Sequence, residues 1–155
     1  MELYQEAELL RQIPMFSKLE TAKLKLLAFA SEILTFRDGE ILCHVGEPAD
    51  SAYVITDGEV EVLMDADADT VVTAKLGKNQ LFGELGVLTN SPRNATLRAK
   101  GELKAMRIKD EMFLKLISEN PEVALDVMRQ LSEKLVATHH RYEELRAKVQ
   151  GMEHS

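Results

Sequence analysis

Tryptophan is absent from this sequence, cysteine occurs once and proline four times in 155 residues. A single cysteine, Cys43, rules out an internal disulfide framework and a multi-cysteine zinc site, and we interpret it as a small core residue. No apolar run approaches the roughly 20 residues that a membrane-spanning helix needs. The acidic, amphipathic start of the chain is unlike a signal peptide, so we expect a cytoplasmic protein.

Positive charge is also scarce. The chain has 19 Lys and Arg residues against 26 Asp and Glu residues, for a net charge of −7. Duplex DNA and anionic membranes both require concentrated positive charge, so we expect neither as a direct partner. A small anionic ligand held by one arginine is still compatible with this balance. Hydrophobic residues make up 45% of the chain, which indicates a globular protein with a core.

The usual signatures of catalysis and metal binding are missing too. The four histidines are His44, His139, His140 and His154. None lies in an HExxH motif or at a spacing typical of a metal site. The acidic stretch at 65–69 departs from the calcium-loop pattern, because Thr70 and Leu76 stand where Gly and Glu are required, and we interpret it as a solvated hairpin loop. We therefore expect no metal and no enzymatic activity.

The chain divides into three zones of different periodicity. Residues 1–31 are helix-like, residues 32–108 contain short β-rich runs separated by turn residues, and residues 109–150 return to helical patterns. This order predicts one α+β domain over 1–155, mainly β with flanking helices. We expect an antiparallel β-roll or jelly roll, N-terminal helices and a long C-terminal helix. The pair Asp57-Gly58 between two apolar runs predicts a hairpin.

The last predicted helix carries a heptad pattern. Its apolar positions alternate at spacings of four and three: Ala124, Met128, Leu131, Leu135, Thr138, Tyr142, Leu145 and Val149. This alternation is typical of a coiled coil, and a second copy of the chain is the simplest partner, so we predict a homodimer. The alternative is an amphipathic helix that packs on its own domain. Thr138 is the one small polar residue in the middle of the stripe, and it either merely tolerates the seam or turns its hydroxyl toward a ligand.

Residues 82–96, FGELGVLTNSPRNAT, carry the clearest chemistry. Gly83 allows the backbone to approach a ligand closely, and GELGVL is long enough for a helical turn whose free N–H groups attract an anion. Arg93, stiffened by Pro92, offers a forked donor set that suits phosphate oxygens, and Glu84 offers acceptors for a sugar hydroxyl. Phosphate and sugar together indicate a nucleotide. The alternative is a polar loop in which Glu84 and Arg93 pair with each other.

This segment resembles the phosphate-binding cassette of cyclic nucleotide-binding domains, whose common form is FGE-(L/I)-(A/G)-L-L, a spacer and P-R-(T/A/S)-A-(T/S). The matching residues are Phe82, Gly83, Glu84, Leu85, Gly86, Leu88, Pro92, Arg93, Ala95 and Thr96. Turn glycines of the family have counterparts at Gly39, Gly46, Gly58 and Gly77. The resemblance extends from about residue 10 to 149. Residues 120–140 are similar to the dimer helix of the catabolite activator (cyclic AMP receptor) group within the family.

The resemblance implies a role for each residue of a predicted ligand site. Arg93 is expected to pair with the cyclic phosphate and Glu84 to hold the ribose 2′-hydroxyl. The backbone N–H groups of Gly83, Leu85 and Asn94 are expected to reach the ribose-phosphate.

Three further residues complete the predicted set. Ala95 belongs to the cassette. By alignment with the activator group, Thr138 contacts the adenine, and His139 contacts the base bound by the other subunit.

The sequence departs from the family pattern at two of these positions. Asn94 stands where Ser, Thr or Ala is usual, and His139 replaces a small hydroxyl residue. The winged helix-turn-helix of the activator group has no counterpart before Ser155. We therefore expect a stand-alone dimeric sensor that binds cAMP rather than cGMP, moves its C-terminal helix and signals to a partner protein. The alternatives are the sensory part of a transcription regulator and an interaction module without ligand.

Overall fold

The structure is a computed structural model that describes residues 3–66 and 69–153. The helices are α1 (Leu3–Arg11), α2 (Thr21–Ala30), α3 (Glu84–Thr89), α4 (Asp110–Glu119) and α5 (Pro121–Glu153), with a short 3₁₀ helix at Pro14–Phe16. The strands are β1 (Ser31–Phe36), β2 (Ile41–Cys43), β3 (Ser51–Ala66), β4 (Asp69–Leu76), β5 (Leu81–Phe82) and β6 (Thr96–Lys109). The acidic stretch predicted to form a solvated loop falls partly on residues 67 and 68, outside the described residues.

The six strands form one antiparallel sheet in the order β1-β6-β3-β4, with β2 also paired to β6 and β5 to β3. The two longest strands, β3 and β6, run side by side through its centre. Helices precede and follow this sheet in the chain. The predicted α+β class, mainly β with flanking helices and a long C-terminal helix, is therefore confirmed.

The hairpin predicted at Asp57-Gly58 is wrong. β3 continues through these residues as a single strand, and its pairing with β6 shifts register on both sides of Asp57. Gly58 has a φ of +95°, and a Cβ there would collide with the Glu102 carbonyl of β6. The glycine therefore allows a β-bulge in β3 and the close approach of the β6 backbone, and the chain does not reverse direction there. Strand β6 likewise runs without a break from Thr96 to Lys109, although short runs are predicted throughout this zone.

Two apolar clusters form the core. The first joins the helices to one face of the sheet, and its larger members include Leu10, Phe16, Leu24, Leu27, Val54, Met106, Ile108, Phe113 and Leu116. The second fills the roll, with Tyr53, Ile55, Val60, Phe82, Leu97 and Leu103. Cys43 is buried in the second cluster, as predicted. Burial raises the pKa of its thiol, and the charge of Arg93 acts in the opposite direction.

Helix α5 has two parts with different surroundings. Near its start, Val123 and Val127 are buried in the first core cluster, and Leu131 packs partly against it. Further along, Leu135 is 70% exposed and Tyr142 60% exposed. The alternative in which the whole apolar stripe packs on its own domain is therefore wrong for the second part. Among the helices of the described ranges, none is long and apolar enough to cross a membrane.

Candidate functional site

The cassette, residues 82–96, begins where β5 turns into α3. Gly83 makes this turn with φ 75° and ψ 2°, in the left-handed region, and α3 follows at once as the predicted helical turn. Phe82, just before it, stacks on Tyr53 of β3 with ring centroids 4.8 Å apart. A Cβ on Gly86 would collide with Ala49, so α3 packs closely against the loop before β3. The cassette backbone is thus fixed from both sides.

Arg93 is buried against this turn, with only 5% of its side chain exposed. Its Nη1 donates to the Gly83 carbonyl at 2.8 Å, and its Nη2 donates to the Ser51 carbonyl at 2.8 Å. Asp50 Oδ1 lies 3.8 Å from Nη2. Within the described residues these two hydrogen bonds use two of the five guanidinium N–H groups. The others are left for an anion, with the guanidinium already fixed in place.

Glu84 opens α3, and its side chain is only 4% exposed. Its Oε1 accepts a 2.8 Å hydrogen bond from Lys134 Nζ of α5. The same ammonium donates to the Leu81 carbonyl at 2.6 Å, and Gln130 Oε1 accepts from the Leu81 N–H at 2.8 Å. Helix α5 is thereby fastened to β5 and to the cassette. Because Glu84 and Arg93 each have other partners, the alternative in which they pair with each other is wrong.

The structure places the other predicted residues as follows. Leu85 is exposed in the first turn of α3, Asn94 is exposed and Ala95 is half-buried, all within the cassette. Thr138 is exposed, and its hydroxyl donates to the Lys134 carbonyl at 2.9 Å. Thr138 lies four residues after Lys134, on the same helix face one turn further along. His139 is rotated about 140° around the helix axis from Lys134, so it points away from the cassette of its own chain.

Residues 33–120, more than half of the chain, match the family model described as cyclic nucleotide-binding domain. The chain belongs to the cyclic nucleotide-binding domain family. Within it, the chain is 33% identical over 109 residues to a cAMP-dependent protein kinase regulatory subunit of Blastocladiella emersonii, covering 70% of this chain and 27% of that protein. It is 34% identical over 123 residues to the type II regulatory subunit of Drosophila melanogaster, covering 79% of this chain and 32% of that protein. The chain thus spans about a third or less of these relatives.

Solved structures show the same fold. The sensor domain of the transcriptional regulator DNR from Pseudomonas aeruginosa has a TM-score of 0.72 at 23% identity, covering 93% of this chain and 96% of that chain. The catabolite activator protein of Thermus thermophilus has a TM-score of 0.71 at 22% identity, covering 85% of this chain and 62% of that chain. The regulatory domain of Toxoplasma gondii PKA, crystallised with cAMP, has a TM-score of 0.71 at 20% identity, covering 84% of this chain and 50% of that chain. The expected resemblance to the activator group is confirmed at the level of the fold.

Sequence reasoning missed several residues of this cyclic nucleotide-binding domain. Lys134 and Gln130 contact β5 and the cassette from α5, and the one available signal was the position of Lys134 one turn before Thr138 on the same face. Ser51 acts on Arg93 through its backbone carbonyl, which has no side-chain signature.

A charged network adjoins Arg93. Arg107 donates to Ser51 Oγ at 3.1 Å, to Asp50 Oδ2 at 3.2 Å and to Glu32 at 3.3 Å. Burial by itself would raise the pKa of Asp50. The Ser51 hydroxyl and the charges of Arg107 and Arg93 outweigh it, so the pKa of Asp50 lies below its ordinary value. The acidic members of this network do not form a metal site, since within residues 3–66 and 69–153 no group of three or more His, Cys, Asp or Glu is placed to hold an ion.

Proposed function

We propose that the chain is a cyclic nucleotide sensor that binds cAMP in preference to cGMP between the cassette and α5. It acts as a binding module rather than an enzyme and works in the cytoplasm. The observation that carries the proposal is the buried guanidinium of Arg93, which two backbone carbonyls hold beside the left-handed turn at Gly83. Membership of the family supports the ligand class.

Arg93 and Glu84, both in the cassette, bind different parts of the ribose-phosphate. Arg93 supplies a fixed cation with further N–H donors for the cyclic phosphate. Glu84 supplies a buried carboxylate that accepts a hydrogen bond from the ribose 2′-hydroxyl. Both groups are buried and paired with other groups of the protein, so little conformational entropy of these side chains is lost when a ligand binds.

We propose that the purine base of the ligand lies against the surface of α5. Thr138 lies one turn beyond Lys134 on the face that contacts the cassette, where a base attached to the ribose can reach it. The relatives named as cAMP-dependent support cAMP as the ligand. Asn94 replaces the hydroxyl residue that often favours one purine in this family, so the cAMP preference is assigned to α5.

We also propose that α5 transmits the effect of ligand binding. Its side chain Gln130 contacts β5 and Lys134 contacts both β5 and the cassette, and its second part exposes apolar residues at Leu135, Tyr142 and Leu145. A ligand that contacts Glu84 and Thr138 acts on this helix directly and biases its position. We propose that a second copy of the chain covers the exposed stripe, with His139 facing the base of that copy. A partner protein then reads the position of α5, and the action of the sensor as a stand-alone module stays a prediction.

Calorimetric titration of nucleotide-free protein with cAMP and cGMP tests the function. We expect tight binding of cAMP, weaker binding of cGMP and loss of binding in Arg93→Ala. Arg98→Ala is the matched control, because it removes a guanidinium that pairs with Glu61 at 2.9 Å elsewhere on the sheet. It should bind as the wild type does.

A second measurement distinguishes a loss of affinity that is caused by unfolding from one that is caused by the missing guanidinium. Thermal melting of each variant shows whether it folds, and cAMP at a hundredfold excess over Kd should add about 2.7 kcal/mol to the free energy of unfolding of the wild type. Wild-type affinity in a folded Arg93→Ala, or no binding of either nucleotide by the wild type, would overturn the proposal.

A further inference from the structure

The two oxygens of the Glu84 carboxylate have different surroundings. Oε1 is held by the Lys134 ammonium at 2.8 Å. Oε2 has no hydrogen bond within the described parts of the chain, although the side chain is only 4% exposed. One oxygen is thus used by the protein, and the other is available to a donor from a ligand.

A carboxylate this deeply buried is costly to leave without a partner. Without a cation beside it, such a group turns out toward water. Within the described residues Lys134 is the one cation paired with Glu84. The ion pair therefore fixes the orientation of the carboxylate and leaves Oε2 as the acceptor for a ligand donor. Hydrogen bonds to a carboxylate are about twice as strong as those between neutral groups.

The ammonium is itself fixed in place. Besides Glu84, it donates to the Leu81 carbonyl at 2.6 Å, in the strand that leads into the cassette. Its neighbour one turn earlier, Gln130, accepts from the N–H of the same Leu81 at 2.8 Å. Gln130 thus helps to dock α5 on β5 without an observed contact with Glu84. Lys134 contacts both Leu81 of β5 and Glu84.

We propose that Lys134 is a positioning residue that sets the preference of this site for a ribose over a 2′-deoxyribose nucleotide. Lys134 holds Oε1, so that the Glu84 carboxylate is turned with Oε2 toward the 2′-hydroxyl. This inference rests on the proposed function and adds a residue of α5 to ribose recognition. It also means that the same contact that docks α5 on the cassette determines how strongly the ribose is held.

The test is a comparison of two ligands rather than of one affinity. Titration calorimetry gives Kd for cAMP and for 2′-deoxy-cAMP with the wild type and with Lys134→Met, Lys134→Arg and Glu84→Gln. A hydrogen bond to a charged group predicts that the wild type binds cAMP at least about tenfold more tightly than the deoxy ligand. In Lys134→Met this ratio should fall below about threefold, and Lys134→Arg should restore most of it.

Gln130→Met is the matched control for a purely structural effect. It removes a contact between α5 and Leu81 and leaves the Glu84 pair in place. A weakened helix contact lowers both affinities by the same factor, so the ratio for Gln130→Met should stay at the wild-type value. In the double variant Glu84→Gln/Lys134→Met, the ratio should fall no further than in Glu84→Gln alone.

Each outcome decides between the two proposals. A wild-type ratio in folded Lys134→Met, with cAMP still bound, overturns the role of Lys134 and leaves the sensor function standing. Failure of the wild type to bind cAMP overturns both. Circular dichroism melting checks folding, and if Lys134→Met does not fold, Lys134→Gln replaces it as the uncharged variant.

Discussion

The guanidinium of Arg93 and the carbonyl of Gly83 are joined by a 2.8 Å hydrogen bond, and this contact leaves no room for a side chain at position 83. A Cβ on Gly83 would lie 2.5 Å from Arg93 Nη1. The residue also has a φ of +75°, which L side chains adopt only at a cost. The turn into α3 and the proposed anion-binding side chain are thus fitted to each other, so a change at one displaces the other.

Replacement of Gly83 by alanine should therefore affect both stability and binding. The left-handed backbone costs about 1–2 kcal/mol with a Cβ, so the free energy of unfolding should fall by about this amount. Arg93 must also move away from the new methyl group, and we expect the Kd for cAMP to rise at least about tenfold, the equivalent of one charged hydrogen bond. Urea denaturation measures the first effect and titration calorimetry the second.

Gly39→Ala separates backbone strain from the contact with Arg93. Gly39 has a φ of +84°, but a Cβ there meets nothing within 4 Å. This variant should lose about as much stability as Gly83→Ala and keep wild-type affinity for cAMP. An equal loss of affinity in both variants would show that the fit between Gly83 and Arg93 is not the cause.

Arg93→Lys tests the forked geometry of the guanidinium. Lysine keeps the positive charge, but its compact ammonium does not reproduce the planar pair of donors that reaches both Gly83 and Ser51. At least one buried carbonyl loses its partner, so the free energy of unfolding should fall by about 1–3 kcal/mol. Affinity for cAMP should fall as well. Wild-type stability and affinity together would show that charge alone is sufficient at this position.

The limits of sequence-based prediction are clearest at β3. Asp-Gly between apolar runs fits a hairpin and a bulge equally well, because both require a glycine with positive φ. What decides between them is β6, whose Glu102 carbonyl lies against Gly58 and which pairs along β3 from Thr96 to Lys109. That strand lies about 40 residues away in the sequence, so the local pattern carries no information on it. The break between α4 and α5, by contrast, has a local signal, because Pro121 stands at the first position of α5, where a helix tolerates proline.

In the candidate site, too, local features were predictable from the sequence and long-range contacts were not. The cassette could be identified because its residues form one contiguous motif. The partners of that motif were not predictable, since Arg93 binds backbone carbonyls and Glu84 binds a lysine 50 residues further along the chain. A lysine on a polar helix face has the same sequence pattern as any solvated cation. Only the packing of α5 against β5 assigns it a partner.

Asp50 should give the fold a dependence on acid pH. Its folded pKa lies below the ordinary value of about 3.9, so the ionised carboxylate stabilises the fold above that value, and this contribution is lost as the pH falls through the lowered folded pKa. The difference in unfolding free energy between the wild type and Asp50→Asn should be largest near neutral pH and should shrink below about pH 4. Urea denaturation from pH 7 to pH 2.5 measures it.

Arg107→Gln provides a second variant for the same prediction, because Arg107 is one of the two cations that lower the pKa of Asp50. In this background Asp50→Asn should have a smaller pH-dependent effect. A difference between the wild type and Asp50→Asn that is constant from pH 7 to pH 2.5 would contradict the assignment.

The exposed stripe of α5 predicts the oligomeric state. Leu135, Tyr142 and Leu145 are more than half exposed and follow the a and d spacing of a coiled coil. We expect light scattering to give twice the 17.4 kDa of one chain, and we expect Leu135→Glu/Leu145→Glu to give a monomer, because charges in the seam of a coiled coil lose their hydration. Ala147→Glu introduces the same charge on the opposite face of α5 and should stay dimeric. A monomeric wild type at tens of micromolar protein would show that the stripe has another partner, and the contact of His139 with the ligand of a second copy would then be lost as well.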